Sequence, residues 1–170
     1  ALYCYNRITV PGSLPRTKRI AALVNIGTPD AMMSAGDLAW KLSIDYPLDA
    51  NAVWARGSVF MAACKFEVAS DLFLQAHMMD NSESRHGCDA ALALQQCGRF
   101  EEAKRMFEQV IALHPLKIEV RTWYGMLLML MGDLTNGWRE YESRVFHDTP
   151  VQVNGKPVWA RGANWIPDHS

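Results

Sequence analysis

A repetition every 34 residues constrains the fold of this chain more than any other feature of its sequence. Three windows that begin at Ala50, Ser84 and Ile118 share six columns of small, apolar, turn-forming or aromatic residues. In the order of the three windows, the columns are Gly57, Ala91 and Gly125; Phe60, Leu94 and Leu128; Cys64, Gly98 and Gly132; Phe66, Phe100 and Leu134; Ala69, Ala103 and Gly137; and Phe73, Phe107 and Tyr141. Self-similarity at a fixed period of this length is typical of folds built from stacked units of supersecondary structure.

Each window predicts two antiparallel helices joined by a tight turn. The two columns of small residues let the paired helix backbones approach each other closely. The aromatic column follows the second small residue by one helical turn and lies on the same helix face, where it fills the space toward the next window. Gly98 and Gly132 suit the positive φ that often ends a helix, and Pro115 ends the last helix of the second window. We therefore expect three helix pairs in residues 50–145, with turns near Cys64, Gly98 and Gly132.

The pattern resembles the tetratricopeptide repeat, whose period and Ala-x-x-x-Phe…Pro signature it shares. The resemblance covers residues 50–145 and departs from the family at the start of each first helix. There the expected aromatic residue is replaced by Val53, Gly87 and Arg121. The resemblance implies an all-α fold, a right-handed α-solenoid of helix-turn-helix repeats.

The repeat fades before the first window without vanishing. Ala35 lies one period before Ala69, and an apolar-periodic run follows Asp30, which we expect to be the N-cap of a helix. We interpret residues 16–49 as a degenerate capping repeat, because the terminal repeats of such folds have one face without a neighbour.

The two ends of the chain do not follow the repeat. Residues 1–15 are rich in proline and glycine and predict an extended N-terminal arm. Residues 146–170 predict an irregular C-terminal tail, in which the alternating pattern of residues 151–160 favours a short strand or hairpin.

Two further resemblances concern this tail. Residues 137–144, followed by Pro157, Trp159 and Gly162, are similar to the end of the repeat region in bacterial proteins that continue into a glycosyltransferase domain, like O-linked N-acetylglucosamine transferases. Residues 153–167 are similar to the segment that enters the catalytic barrel of β-mannosidase-like glycoside hydrolases. Neither family's catalytic residues can be assigned to positions of this chain, and chance and an incomplete gene both remain open as explanations.

Charge and hydropathy exclude several classes of partner. The formal net charge is -1, and lysine and arginine are spread thinly, so no basic patch predicts binding to nucleic acid or to an anionic membrane. The longest apolar run, residues 123–131, is too short to span a membrane.

Cysteine and histidine spacing predicts neither a metal site nor catalysis. The four cysteines lack the close spacing of a zinc or redox motif, and His86 and Cys88 are two residues apart, so a helix points them to different sides. Free thiols without a signal peptide favour a reducing compartment, which we expect to be the cytoplasm. No phosphate-binding loop is present, and we expect no cofactor, no metal and no enzymatic activity.

The resemblance implies that the first helix of each repeat lines a concave groove. Carried over by position, the lining residues are Asn51, Trp54, Ser58, Met61 and Ala62; Arg85, Cys88, Leu92, Gln95 and Gln96; and Glu119, Thr122, Met126, Met129 and Leu130. This lining is apolar and rich in methionine, which adapts to partner helices and extended peptides. The alternative is that these side chains pack against the chain's own termini.

The family's clamp for a carboxylate is not expected here. The clamp positions hold Trp54, Ser58, Asp89 and Glu119, which do not suit an anion. We therefore predict a protein-protein interaction scaffold that binds a peptide or helix in an apolar concave groove. The alternative is the non-catalytic repeat region of a longer glycosyltransferase-type enzyme.

Overall fold

A computed structural model describes residues 13–142 of the chain, together with residues 152–153 and 156–157. Its helices are α1 (Ser13–Ile26), α2 (Pro29–Asp45), α3 (Ala50–Ala62), α4 (Phe66–Met79), α5 (Ser84–Gln96), α6 (Phe100–Leu113), α7 (Ile118–Leu130) and α8 (Leu134–Tyr141). Two short strands, β1 (Gln152–Val153) and β2 (Lys156–Pro157), pair antiparallel. These four residues bear out the expectation of strand structure within residues 151–160. Residues 13–15 of the predicted N-terminal arm instead begin helix α1, and the rest of residues 1–15 lies outside the described part.

Consecutive helices pack in pairs along the chain. Helix α1 packs against α2, α3 against α4, α5 against α6, and α7 against α8. Helices α3, α5 and α7 begin at Ala50, Ser84 and Ile118, the residues at which the three sequence windows begin. The prediction of an all-α fold of helix-turn-helix repeats is confirmed.

The turn inside each of the three repeats has the same backbone geometry. Cys64, Gly98 and Gly132 have φ values of 57°, 75° and 91°, in the left-handed region that ends many helices. In each turn the next residue's N–H donates to a carbonyl five residues earlier, at 2.9 Å: Lys65 to Phe60, Arg99 to Leu94 and Asp133 to Leu128. The turn column of the sequence therefore marks a repeated helix-ending motif, which the first repeat forms with a cysteine instead of a glycine.

The start of α2 differs from the prediction. Thr28 is the N-cap residue, and its hydroxyl oxygen accepts a hydrogen bond from the Ala31 N–H at 3.3 Å. The expectation that Asp30 is the N-cap is wrong, because Pro29 occupies the first turn, where its fixed φ and missing N–H are favourable. Asp30 instead lies in the first turn, where a carboxylate suits the helix dipole.

The chain divides into two compact units, Ala1–Pro115 and Leu116–Ser170. The core of the first unit contains the large, fully buried side chains Ile20, Leu42, Phe73, Leu94, Phe107 and Val110. In the second unit, Val120, Leu127 and Leu128 of α7 are buried, and the Arg121 guanidinium donates to the Glu140 carboxylate of α8 at 2.9 Å. Among the described residues, no helix combines the length and the apolar character needed to cross a membrane.

Gly87 shows why the chain departs from the usual repeat at the start of α5. A Cβ placed on Gly87 would collide with the Val110 side chain of α6 and would lie 3.0 Å from His77 Nδ1 of α4. The space that an aromatic residue would require is therefore already occupied by side chains of two neighbouring helices.

Candidate functional site

A cavity of about 280 Å³ lies within the first unit, among helices α1, α3, α4 and α5. Its lining residues are Ala21, Val24, Asn25, Trp54, Ser58, Met61, Ala62, Phe73 and Asp89. Most of these side chains are apolar, and Asn25 and Ala62 are exposed, so the cavity reaches the surface. Cavities that hold drug-sized ligands start at about 300 Å³, so this one suits a single side chain better than a cofactor.

A hydrogen bond between α3 and α5 forms one wall of the cavity. The Trp54 Nε1–H donates to Asp89 Oδ2 at 2.6 Å, although the two residues are 35 positions apart in sequence. Trp54 is buried, and the Arg85 guanidinium lies 4.4 Å from the centroid of its ring. A cation at this distance is attracted by the electron-rich face of an indole. The Trp54 ring therefore lies between a cation on its face and a carboxylate at its edge.

Asp89 is the one titratable residue among the described residues that line the cavity. Burial raises the pKa of the Asp89 carboxyl, because desolvation disfavours the charged form. The hydrogen bond from Trp54 and the positive charge of Arg85 both lower this pKa, but their effects are smaller. The cavity thus holds a carboxyl group whose ionised form is incompletely compensated by its neighbours.

Four of the predicted groove residues of α3 line this cavity, and one does not. Trp54, Ser58, Met61 and Ala62 belong to the lining. The Ser58 hydroxyl also donates to the Trp54 carbonyl oxygen at 3.2 Å, within the same helix. Asn51 is buried, and its backbone N–H donates to Asp49 Oδ1 at 3.0 Å in the N-terminal cap of α3. The structure therefore places Asn51 in the helix cap and not on an open binding surface.

The predicted residues of α5 lie in several surroundings. Arg85 is exposed and covers the Trp54 ring, but it does not line the cavity. Leu92 and Gln95 are half-buried, and neither lines the cavity. Gln96 lines a different surface hollow, beside Cys97 and the turn between α3 and α4.

In the second unit, the predicted residues of α7 separate into exposed and packed side chains. Met126 is 43% exposed. The Thr122 hydroxyl donates to the Ile118 carbonyl oxygen at 3.1 Å, within its own helix. Met129 lies against Gly137 of α8, where its Cγ occupies the space that a glycine Cβ would need. Met129 is half-buried as a whole, so its place in an open groove stays a prediction.

The contribution of α1 to the cavity is not predicted by the sequence pattern. Ala21, Val24 and Asn25 lie on one face of this helix, at spacings of three and four residues, but the repeat is too weak there to predict a lining. For Asp89, the comparison with the family's carboxylate clamp predicts only that this position does not bind an anion. Its place in the cavity wall depends on the hydrogen bond that joins it to Trp54 of α3.

A second buried polar cluster lies where α4 ends and α5 begins. His86 is fully buried, and its Nδ1 lies 3.1 Å from the Asp80 carbonyl oxygen, so the Nδ1–H tautomer donates to that carbonyl. His86 Nε2 and His77 Nδ1 are buried without a hydrogen-bond partner. Within the described part of the chain, no group of three or more histidine, cysteine or acidic side chains could hold a metal ion.

Comparison with solved structures identifies the fold. MamA from Desulfovibrio magneticus RS-1 superposes with a TM-score of 0.67 at 16% identity, over 81% of this chain and 78% of that chain. MamA is a tetratricopeptide-repeat protein. The chain has the tetratricopeptide-repeat fold. MamA of strain AMB-1 also matches, with a TM-score of 0.60 at 19% identity, over 79% of this chain and 72% of that one.

An enzyme that contains the same fold is also among the similar structures. A mutant of the Thermobaculum terrenum O-GlcNAc transferase matches with a TM-score of 0.57 at 13% identity, over 71% of this chain and 23% of that chain. The chain spans 65% of the MamA chain from strain MSR-1 that it matches. No family model matches the sequence, and no curated protein sequence matches it.

Proposed function

We propose that the chain is a protein-protein interaction module that binds a peptide segment of a partner at the cavity among α1, α3, α4 and α5. The observation that carries the proposal is the cavity itself, an apolar recess with one polar wall, formed by Trp54 and Asp89. Binding sites for peptides combine an apolar pocket with a few placed polar groups in this way. The tetratricopeptide-repeat fold supports the proposal. Helices α3 and α5 are the first helices of their repeats, which are the helices that line the groove in this family.

The proposal can be tested by filling the cavity. Ala62→Trp introduces a large side chain at an exposed lining position, so the helix has room to accept it. Ala112→Trp is the matched control, since Ala112 is also exposed and helical, on α6, which contributes nothing to the cavity. The unmodified chain and the two variants are each immobilised, and the proteins that they capture from a lysate are compared by mass spectrometry.

We expect Ala62→Trp to lose specific partners that the unmodified chain and Ala112→Trp both retain. Circular dichroism and thermal unfolding show whether the two variants keep the fold. If a correctly folded Ala62→Trp captures the same partners with the same affinity, the cavity is not the binding site and the proposal fails.

A second candidate function is the repeat region of a longer glycosyltransferase-type enzyme. The match to the Thermobaculum terrenum O-GlcNAc transferase favours it, because 71% of this chain superposes on 23% of that enzyme. Sequencing the gene downstream of the codon for Ser170 tests this candidate. A reading frame that continues into a nucleotide-sugar-binding α/β domain would support it, and a stop codon would exclude it.

A further inference from the structure

The charge of the residues that line the cavity indicates which class of ligand the cavity can bind. Among the nine residues of the described part of the chain that line the cavity, Asp89 carries the only formal charge. The other polar groups are the Asn25 amide, the Ser58 hydroxyl and the Trp54 N–H. A ligand that complements this surface therefore combines an apolar body with one positive charge.

The surroundings of Asp89 strengthen this argument. Its carboxyl group is partly desolvated, and a cation within hydrogen-bond distance would stabilise the ionised form. The positive charge on the same helix belongs to Arg85, whose guanidinium lies over the face of the Trp54 ring. A guanidinium nitrogen of Arg85 is also 3.9 Å from a carboxylate oxygen of Glu83. Because Arg85 does not line the cavity, a cation entering the cavity would approach Asp89 from a different side.

The hydrogen bond from Trp54 discriminates between the two common cationic side chains. Asp89 Oδ2 already accepts the indole N–H at 2.6 Å. The arginine guanidinium favours a fork in which both carboxylate oxygens accept, whereas the lysine ammonium binds as a compact point charge. Lysine also has a flexible stem of methylene groups, which can pack along apolar walls such as those of Val24, Met61 and Ala62.

We infer that the cavity binds a lysine side chain of the partner peptide, with the stem against the apolar wall and the ammonium donating to Asp89. This inference rests on the proposed function, since it names the peptide residue that enters the proposed site. The inferred ligand group is therefore positively charged, whereas the carboxylate that the family's clamp binds is negatively charged.

A displayed library of random peptides, selected on the full chain, tests the inference and requires no identified partner. We expect selected peptides to share one lysine, and their binding to be lost with Ala62→Trp. Replacing that lysine by norleucine, which keeps the stem and removes the ammonium, should weaken binding at least tenfold. Replacing it by arginine should weaken binding less, but measurably. Because only the peptide changes, these last two results do not depend on the folding of any variant.

Asp89→Asn gives the complementary test on the protein. The asparagine side-chain oxygen can still accept the hydrogen bond from Trp54, so circular dichroism should be unchanged. With this variant, the lysine and norleucine peptides should bind within threefold of each other. Asp37→Asn is the matched control, since it removes the same charge from an exposed position on α2 and should keep the tenfold preference.

The outcomes separate the two proposals. Peptides that bind in the cavity without a shared lysine, or a lysine preference that survives Asp89→Asn, would overturn the inference and leave the proposed function standing. Arginine peptides that bind as tightly as lysine peptides would overturn the choice of lysine. A library that yields no binder, or only binders insensitive to Ala62→Trp, would overturn the proposed function and the inference together.

Discussion

The first and third repeats both have a glycine in the middle of their first helix, but different atoms occupy the space beside it. A Cβ on Gly57 of α3 would lie 2.6 Å from Cε1 of the Phe73 ring on α4. A Cβ on Gly125 of α7 would lie 2.6 Å from the backbone nitrogen of Tyr141 and 2.7 Å from the Gly137 carbonyl oxygen, both on α8. The first pair is thus in contact through a side chain, and the third pair through backbone.

The partner column explains the difference. The residue that faces the first helix is Ala69 in the first repeat and Gly137 in the third. With glycine on both helices, the backbones of α7 and α8 can approach more closely, and the aromatic residue, Tyr141, contributes its backbone to the contact. The same position therefore tolerates an added methyl group better in the first repeat than in the third, since an aromatic ring can shift slightly and a helix backbone cannot shift alone.

The largest effect should come from Gly125→Ala. The added methyl group would force α8 away from α7, and we expect a loss of about 3 kcal/mol in the free energy of unfolding. The better helix propensity of alanine offsets only about 1 kcal/mol of such strain. Chemical unfolding measures the net change in the free energy of unfolding. Hydrogen exchange of the α8 amides should be faster in the variant than in the unmodified chain, which would locate the loss at α8. An unchanged unfolding midpoint would contradict the backbone contact.

Gly57→Ala should destabilise less. The methyl group would meet the Phe73 ring, which can shift slightly although it is only 2% exposed, so we expect a net cost of about 1 kcal/mol. The double variant Gly57→Ala with Phe73→Leu separates ring from backbone effects, because the smaller side chain leaves room for the methyl group. The cost of the double variant should be smaller than the sum of the single costs. Additive costs would mean that the ring is not what limits the space.

A smaller effect is expected from acid. Burial lowers the pKa of His86 and of His77, so the unfolded chain binds more protons than the folded chain below about pH 6.5. The stability present at higher pH is therefore lost as the pH falls, and the melting temperature should be lower at pH 5.5 than at pH 7.5.

The charged groups around these histidines limit the size of that loss. Asp80 raises the pKa of both histidines, and Glu83 raises that of His86. In the other direction, Arg85 lowers the pKa of His86, and His114 lowers the pKa of His77. His86→Asn keeps a donor near the Asp80 carbonyl oxygen and removes one titrating group, so the difference between the two pH values should shrink. An equal difference in the variant would show that other groups cause it.

The smallest effect, of opposite sign, is expected from Gly36→Ala on α2. A Cβ on Gly36 would meet nothing within 4 Å, so the alanine gains helix propensity without strain. We expect a stabilisation of about 0.5–1 kcal/mol, measured by the same unfolding experiment. This variant is also the control for the two other glycine replacements, and a loss of stability here would show that propensity and packing had been assigned wrongly.

The sequence by itself determined the period, the starts of the first helices of the three clear repeats, and the turns. Small residues, turn residues and apolar spacing act within a few positions along the chain, so Ala50, Ser84 and Ile118 could be predicted as window starts from the pattern alone. The same local spacing places Trp54, Ser58 and Met61 on one face of α3, at offsets of four and three residues.

The tertiary structure decided which of these faces becomes a site. Asn51 shares the face of Trp54 by spacing, but it is held in the cap by Asp49; Met129 shares the face of Met126, but it packs against Gly137. The α1 wall and the bond from Trp54 to Asp89 join residues far apart in sequence, and no periodic pattern within one helix encodes such a contact. Side chains from different helices meet only once those helices have packed, and that packing created the cavity and desolvated the carboxyl group of Asp89.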